Sequence, residues 1–306
     1  MAISRRNQAN DTAPETMRVP RRALLTSAGP IGLLASLGLA GCTSPTGGES
    51  PTVEAPSPEA NVRKTGRKGI GLTADDAAGI KKLQLLNVDW SYDWGSAYPP
   101  VSTGVEFVPM IWSKRNLQSR LEEVSAGIPV HRPAALLGFN EPDYRTQANM
   151  TVDEAIAAWP ALQAVNLRLG SPAAALPSDH WLDEFMTKAE ANNLRVDFMT
   201  FHSYQEPNPE SFLRKVTELY EAYGKPVWIT EFAVADWGAT PDRPSRYTME
   251  QVQDYMTATV QGLRERSYVE RFAWHTNKTT DPVVGPSALF HEDGSLTGVG
   301  ETYSAL

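Results

Sequence analysis

Hydrophobic and polar positions follow two different periods along the chain after residue 68. Eight short runs rich in β-branched and aromatic residues predict strands, at 69–72, 85–90, 106–112, 135–139, 167–171, 196–201, 226–230 and 271–274. Longer amphipathic segments in the gaps predict helices, at 151–166, 180–193, 209–223 and 248–266. Thr151 and Glu154 form a capping-box sequence where the first of these helices begins. The repeated order of strand and helix predicts an α/β fold, a single-domain (β/α)8 TIM barrel.

A doubly wound sheet is the competing arrangement of such strands and helices. That fold carries a glycine-rich phosphate loop after its first strand. No such loop follows residues 69–72. The closed barrel is therefore the favoured interpretation.

Residues 1–41 have the layout of a signal peptide. Three arginines between residues 18 and 22 precede an apolar stretch at 23–40, which is too short and too rich in glycine to span a membrane as a helix. The stretch ends in Leu-Ala-Gly-Cys, which resembles the lipobox of bacterial lipoproteins and makes Cys42 the expected lipidation site. A chance cysteine after an ordinary cleavage site is the alternative. Arg21 and Arg22 also resemble a twin-arginine export signal, so the export route stays open.

Residues 42–65 are rich in Pro, Ser and Thr and almost free of large apolar residues. Such a composition cannot bury a core and predicts a flexible tether. Residues 66–306 form the expected catalytic domain. The expected location is the extracellular face of the bacterial cell membrane, with the lipid anchor at Cys42 as the membrane partner.

Composition removes several classes of function. The net charge of −8 disfavours nucleic acid as a partner, and a single cysteine excludes an intrachain disulfide and a cysteine-rich metal site. We expect no cofactor, no metal and a monomer. Eight Trp and ten Tyr against five His suit the binding of sugar rings, although most Trp in any protein belong to the core.

Polar and aromatic residues collect where the predicted strands end, which is the active-site face of a barrel. Glu141 ends the fourth strand and Glu231 the seventh, on opposite sides of the barrel mouth. Hydrolysis of a glycoside with retention needs two carboxyl groups about 5–5.5 Å apart. The pair therefore indicates a glycoside hydrolase.

The longer motifs resemble one family. The runs 107–112, 137–143, 149–151, 201–204, 228–233 and 273–274, together with 293–297, are similar to glycoside hydrolase family 128, the alkali-sensitive-linkage-like β-1,3-glucanases. The resemblance implies a β-glucan polysaccharide as substrate, Glu141 as general acid/base and Glu231 as nucleophile. It also implies that Asn140 binds the sugar 2-hydroxyl, that Tyr204 holds Glu231 ionised and that Trp274 forms the floor under the cleaved sugar. The full set of expected substrate-binding residues is Asn140, Trp90, Tyr92, Trp112, His202, Tyr204, Trp237 and Trp274.

The sequence departs from the family pattern at three positions near this face. Ser203 and Gln205 replace the Trp and Gly that often flank the strand-six tyrosine, and His275 stands where Phe usually follows the strand-eight tryptophan. These changes put the shape of the sugar subsites in doubt.

Three rival functions remain open. The first is a lipid-tethered glycan-binding barrel without catalysis. The second is a metal-dependent hydrolase that uses His202, His275 and a nearby Asp. The third is the same chemistry on another polysaccharide, such as mannan or xylan.

Overall fold

A computed structural model describes residues 67–100, 103–175 and 180–306. The predicted signal peptide, Cys42 and the predicted tether therefore lie outside the described residues. The eight strands are β1 Lys68–Gly71, β2 Trp90–Tyr92, β3 Glu106–Phe107, β4 Ala135–Leu136, β5 Arg168–Leu169, β6 Met199–Gln205, β7 Val227–Val234 and β8 Val269–Trp274. The helices are α1 Ala77–Leu86, α2 Leu117–His131, α3 Val152–Gln163, α4 Trp181–Ala191, α5 Pro209–Tyr223, α6 Met249–Glu265 and α7 Gly298–Ala305.

All eight strands run parallel and close into a barrel. Six of them form one sheet in the order β3-β2-β1-β8-β7-β6, and β4 pairs with β5. Parallel bridges join the two pieces on both sides, from Met110 to Leu137 beyond β3 and β4, and from Gly170 to Phe198 between β5 and β6. Backbone hydrogen bonds of 3.0 Å from Ile111 to Leu137 and 2.9 Å from Ser171 to Phe198 complete the ring. The predicted TIM barrel is confirmed.

The second predicted strand begins too early. Residues 85 and 86 end α1, whose buried residues Gly79, Leu83 and Leu86 recur at helical spacing. Asn87 then takes a left-handed conformation with φ 50°, which ends the helix before β2 begins at Trp90. An apolar run at the join of a helix and a strand cannot be divided by hydrophobicity alone.

The predicted helices match the structure closely. Residues 209–223 form α5 without change, and Thr151 caps α3 through a complete capping box with Glu154. A second capping box begins α6, where Thr248 accepts from the backbone N–H of Gln251 and the Gln251 side chain accepts from Thr248. Within the described parts of the chain, no helix is both long and apolar enough to cross a membrane.

A stack of aromatic rings fills the inside of the barrel. Trp228 packs face to face on Phe198 with ring centroids 4.2 Å apart, and Trp90 packs on Tyr92 at 5.8 Å. At the end where the strands begin, the guanidinium of Arg271 lies 4.5 Å from the Trp228 ring centroid. It also donates to a carboxylate oxygen of Glu106 at 2.6 Å, so that Arg271 and Glu106 form an ion pair at this end of the barrel.

The capping box of α6 supports a direct test of this local structure. Thr248→Ala should lower the free energy of unfolding by about 1 kcal/mol, because the backbone N–H of Gln251 at the helix start loses its acceptor. Thr257→Ala, in the exposed middle of the same helix, is the matched control and should change it by less than about 0.5 kcal/mol. Urea unfolding of both variants measures the difference, and equal effects would contradict this account of how the helix begins.

Candidate active site

A β-bulge turns Glu231 toward the inside of the barrel. Trp228 faces the interior, so strict alternation along β7 would also turn Thr230 inward and Glu231 outward. The pairing of β6 with β7 shifts at this point, because Phe201 pairs with Ile229 whereas His202 pairs with Glu231. Thr230 is the extra residue of the bulge, and it reverses the facing of the residues that follow.

Three side-chain donors hold the carboxylate of Glu231. The indole N–H of Trp94 donates to Oε1 at 2.7 Å, and the Tyr204 hydroxyl donates to Oε2. The Tyr92 hydroxyl lies 3.2 Å from Oε1 and 2.9 Å from the carbonyl oxygen of Thr230, so it contacts both the carboxylate and the bulge. Burial and then the Glu231 charge raise the pKa of Tyr92 and of Tyr204 well above the usual value, so both phenols stay protonated as donors.

These neighbours keep Glu231 ionised although it is buried. Burial alone would raise its pKa, but the charge of His202, the charge that His275 carries when protonated, and the hydrogen bonds from Tyr204 and Trp94 outweigh burial and lower the pKa below the usual range. A carboxylate that remains charged in a buried site is suited to act as a nucleophile.

His202 lies between Glu231 and Glu141. Its Nδ1 is 3.0 Å from Oε1 of Glu141 and its Nε2 is 3.5 Å from Oε1 of Glu231. Burial alone would lower the pKa of His202, but the charge of Glu231 and the hydrogen bond with Glu141 raise it above the usual value. Glu141 itself follows β4 in a left-handed conformation with φ 42°, which only a few per cent of non-glycine residues adopt.

One oxygen of Glu141 and one of Glu231 lie within 4.8 Å of each other, and a ring nitrogen of His202 lies within the same distance of both. Three ligand atoms at this spacing could in principle hold a metal ion. The donor set fits a metal poorly, because both oxygens of Glu231 already accept hydrogen bonds, one from Trp94 and one from Tyr204. We therefore assign no metal to this group.

The two carboxylates line a cleft of about 880 Å³ at the end of the barrel where the strands finish. Its walls come from the ends of β2, β3, β4, β6 and β7 and from the loop after β8. Both acids are buried in its floor, at 9% exposure for Glu141 and 6% for Glu231. An open cleft above two buried acids is a place where a bond of a bound chain can lie between them.

Comparison with known proteins agrees with this geometry. Residues 69–303 match the family described as "Glycosyl hydrolase catalytic core". The crystal structure of an endo-β-1,3-glucanase of glycoside hydrolase family 128, subgroup I, from Amycolatopsis mediterranei, in complex with laminaritriose, is 33% identical, with a TM-score of 0.68. The match covers 78% of this chain and 99% of that one. This chain belongs to glycoside hydrolase family 128. It is a glycoside hydrolase.

Two further relatives have lower sequence identity to this chain. A family 128 subgroup II endo-β-1,3-glucanase from Sorangium cellulosum is 26% identical with a TM-score of 0.65, and it covers 78% of this chain and 98% of that one. Alkali-sensitive linkage protein 1 of Schizosaccharomyces pombe is 29% identical over 252 residues, which are 78% of this chain and 44% of that protein. The chain thus spans less than half the length of this curated relative. Further structures of the Amycolatopsis enzyme carry a replacement of one of two glutamates and hold oligosaccharides from laminaribiose to laminarihexaose.

The structure of this family 128 hydrolase brings most of the predicted site residues together. The cleft is lined by both acids and by Asn140, Trp112, His202, Tyr204 and Trp237. Trp237 is 70% exposed and is fixed by a 3.0 Å hydrogen bond from its indole N–H to the carbonyl oxygen of Tyr204. Asn140 donates from Nδ2 to Gln147 at 3.3 Å, and its buried Oδ1 has no hydrogen-bond partner among the described residues.

Three predicted contacts with substrate are corrected. Trp90, Tyr92 and Trp274 have no exposed surface, so none of them can touch a sugar. Trp90 belongs to the interior stack, and Tyr92 acts on Glu231 from below. Trp274 faces the surrounding helices, because alternation along β8 places Arg271 and Ala273 inside the barrel and Trp274 outside.

The cleft is also lined by residues outside the predicted set, among them Trp94, Tyr144, Gln147 and His275. Alternation could have identified two of them. Trp94 lies two residues beyond Tyr92 and His275 lies two beyond Ala273, so each continues an inward-facing series to the mouth of the barrel. Tyr144 and Gln147 lie in the loop after β4, where no period applies.

The contrast between two tryptophans gives a test of these positions. Trp274→Ala should lower the free energy of unfolding by roughly 3–5 kcal/mol, because it empties a packed space between β8 and the helices. Trp237→Ala should change it by less than about 0.5 kcal/mol, since the ring is mostly exposed. Thermal or urea unfolding decides, and a strong loss of stability in Trp237→Ala would place that ring in the core instead.

Proposed function

We propose that this chain is a retaining hydrolase of β-1,3-glucan. The observation that carries the proposal is the approach of Glu141 and Glu231 to within 4.8 Å across the floor of the cleft. Retaining enzymes hold their two carboxyl groups about 5–5.5 Å apart, whereas inverting enzymes leave about 6.5–9.5 Å for a water molecule. The spacing supports direct attack by a carboxylate.

Glu231 acts as the nucleophile and Glu141 as the general acid/base. Glu231 attacks the anomeric carbon while Glu141 gives its proton to the glycosidic oxygen, so the leaving sugar departs neutral and a glycosyl ester forms on Glu231. Glu141 then takes a proton from water, whose oxygen attacks the same carbon and releases Glu231. The donors from Trp94, Tyr92 and Tyr204 support this division of roles, because they favour the charged form of Glu231 alone.

The choice of β-1,3-glucan rests on the relatives. The Amycolatopsis and Sorangium proteins are endo-β-1,3-glucanases and the former binds laminarin oligosaccharides, whereas a subgroup V relative from Cryptococcus neoformans, 26% identical with a TM-score of 0.62, is an exo-β-1,3-glucanase. We favour endo action, because the endo enzyme of Amycolatopsis has the higher identity to this chain. Trp112 and Trp237 in the cleft walls offer faces for sugar rings.

The acid pair is tested with residues 66–306 and a panel of β-1,3-, β-1,4- and mixed-linkage glucans, mannan and xylan. Native protein should release a series of oligosaccharides from β-1,3-glucan, and Glu231→Gln should reduce the rate to the detection limit. Glu141→Gln should slow it about 10²–10⁴-fold, since the leaving group loses its proton donor. Glu301→Gln, exposed on α7, is the matched control and should remain fully active.

Azide separates the two roles and the rival functions. Glu141→Ala should yield a β-glycosyl azide, because azide replaces water on the ester at Glu231, whereas Glu231→Ala should yield the α-glycosyl azide by direct attack. The same products from both variants would contradict the assignment. Binding of a glucan by native protein without any cleavage would indicate a receptor, and loss of activity with chelator would indicate metal-dependent hydrolysis.

We also propose that the enzyme is anchored to the outer face of a bacterial membrane through a lipid on Cys42. The sequence at 39–42 supports this, together with the predicted tether. Residue 67, the first that the structure describes, precedes β1 at the end of the barrel opposite the cleft.

The anchor is tested with the full chain in a bacterial host fed labelled palmitate. Native protein should take up the label and sediment with membranes, whereas Cys42→Ser should remain unlabelled, because no other thiol is present in the chain. Ser50→Ala is the control and should behave like native protein. A native chain without label would contradict lipidation.

A further inference from the structure

His275 stands at the mouth of the barrel directly beyond β8. Its backbone N–H donates to the carbonyl oxygen of Phe232 at 2.9 Å, which fixes the start of the loop against β7. The imidazole packs edge-on between Tyr204, at 5.1 Å between centroids, and Trp94, at 6.1 Å. Its side chain is 20% exposed and lines the cleft. The two rings that hold His275 are thus two of the donors that hold Glu231.

The Nδ1 atom of His275 is buried and has no hydrogen-bond partner in the described structure. It lies 3.7 Å from Oε2 of Glu231, beyond the range of an ordinary hydrogen bond. Packing alone therefore holds the ring, and its nearest ionisable neighbour is the carboxylate assigned as nucleophile. Such an atom can take up a proton with a ready partner at short range.

We propose that His275 is a positioning residue for Glu231: the neutral imidazole leaves the carboxylate free to attack, and a proton on Nδ1 pairs with the carboxylate and stops the reaction. The inference rests on the proposed role of Glu231. It makes His275 the group that ends activity on the acid side.

Two physical reasons make the charged ring inhibitory. Attack uses the carboxylate charge to form a bond, so an imidazolium that pairs with this charge stabilises the ground state and must be given up in the transition state. The sugar also becomes cationic in that transition state, which resembles an oxocarbenium ion. A second cation against Oε2 repels it.

The charges around His275 set when it titrates. The groups that face it are Glu231 on β7, His202 and Tyr204 on β6, Glu141 beyond β4 and Asp281 in the loop after β8. Burial lowers the pKa of His275, and the charge of Glu231 opposes this without reversing it. The ring is therefore neutral at neutral pH. His202 has a raised pKa, so it takes up its proton at a higher pH than His275 does.

After His202, the next proton bound on acidification is shared by the pair of His275 and Glu231. Glu231 already accepts three hydrogen bonds that favour its anion, whereas Nδ1 of His275 accepts none, so the proton goes to His275. When His275 and Glu231 compete for one proton, either of them can bind it. The pair therefore takes up the proton at a pH at least as high as the pH at which Glu231 would bind it beside an uncharged neighbour. Removal of His275 must therefore move the acid limb to lower pH.

The pH profile of kcat/KM on β-1,3-glucan tests this direction. His275→Phe and His275→Gln should both shift the acid midpoint down by about one pH unit, whatever they do to the plateau. One unit below the native midpoint, each variant should retain roughly five times the native fraction of its own plateau rate. His131→Gln, at the end of α2 on the opposite side of the barrel from the cleft, is the control and should keep the native profile. An unmoved midpoint, or a shift to higher pH, would overturn the proposal and leave His275 as packing.

A second readout does not depend on turnover. The ring signals of His275, followed by NMR with pH in native protein and in Glu231→Gln, should show a lower pKa for His275 in the variant, because its anionic neighbour is gone. An equal pKa in both proteins would overturn the coupling. If native protein cleaves no glycan while this coupling is found, the proposed function fails and the electrostatic link between the two residues stands.

Discussion

The structure of the site depends on the placement of one negative charge in a buried position. A carboxylate without partners would not remain ionised there, because the free-energy cost of removing the charge from water far exceeds the stabilisation that a single weak contact provides. Glu231 is supported by hydroxyl donors on β2 and β6, by the indole of Trp94 just beyond β2, and by the imidazole of His202. Each donor has to reach the two carboxylate oxygens of Glu231. The ends of these strands must therefore keep one fixed register relative to β7. The bulge at Thr230 meets that requirement, and Tyr92 contacts both the bulge carbonyl and the carboxylate that the bulge turns inward.

The aromatic residues of the chain serve two purposes that composition does not separate. Trp90 and Trp228 pack inside the barrel below the site, where Arg271 lies against both rings and pairs with Glu106. This packing gives Tyr92 a rigid support, and Tyr92 in turn contacts Glu231. Only the rings at the mouth, such as Trp112 and Trp237, have surface that a sugar could touch. Many of the aromatic residues therefore pack beneath the cleft and fix Glu231, and fewer of them form the cleft walls.

The sequence was sufficient to predict the fold and to bring Glu141 and Glu231 to one face of it, and insufficient to predict which way individual side chains face. Eight strand-like runs predicted the barrel, because the alternation of strands and helices can be read even where the end of one element is misplaced. Residues 85–90 are such a case, since residues 85 and 86 end a helix. Glu141 and Glu231 could be predicted to share a cleft because each follows a strand on the same face of the barrel. Trp274 was misplaced because its position was taken from resemblance, whereas alternation from Ala273 turns it outward and His275 inward. The bulge at Thr230 has no such signature in the residues, since it is a property of the pairing between two strands.

The two histidines of the cleft show how placement decides the behaviour of one kind of side chain. Both rings lie near Glu231, and burial lowers the pKa of each. His202 has a carboxylate within reach of both ring nitrogens, so the surrounding negative charge prevails and its pKa is raised. His275 has one carboxylate at 3.7 Å and aromatic rings on its other sides, so burial prevails and its pKa is lowered. The charge on His202 adds to that lowering, because two cations so close to one carboxylate repel each other. The site thus separates a histidine between the two acids, whose pKa is raised, from one beside the nucleophile, whose pKa is lowered.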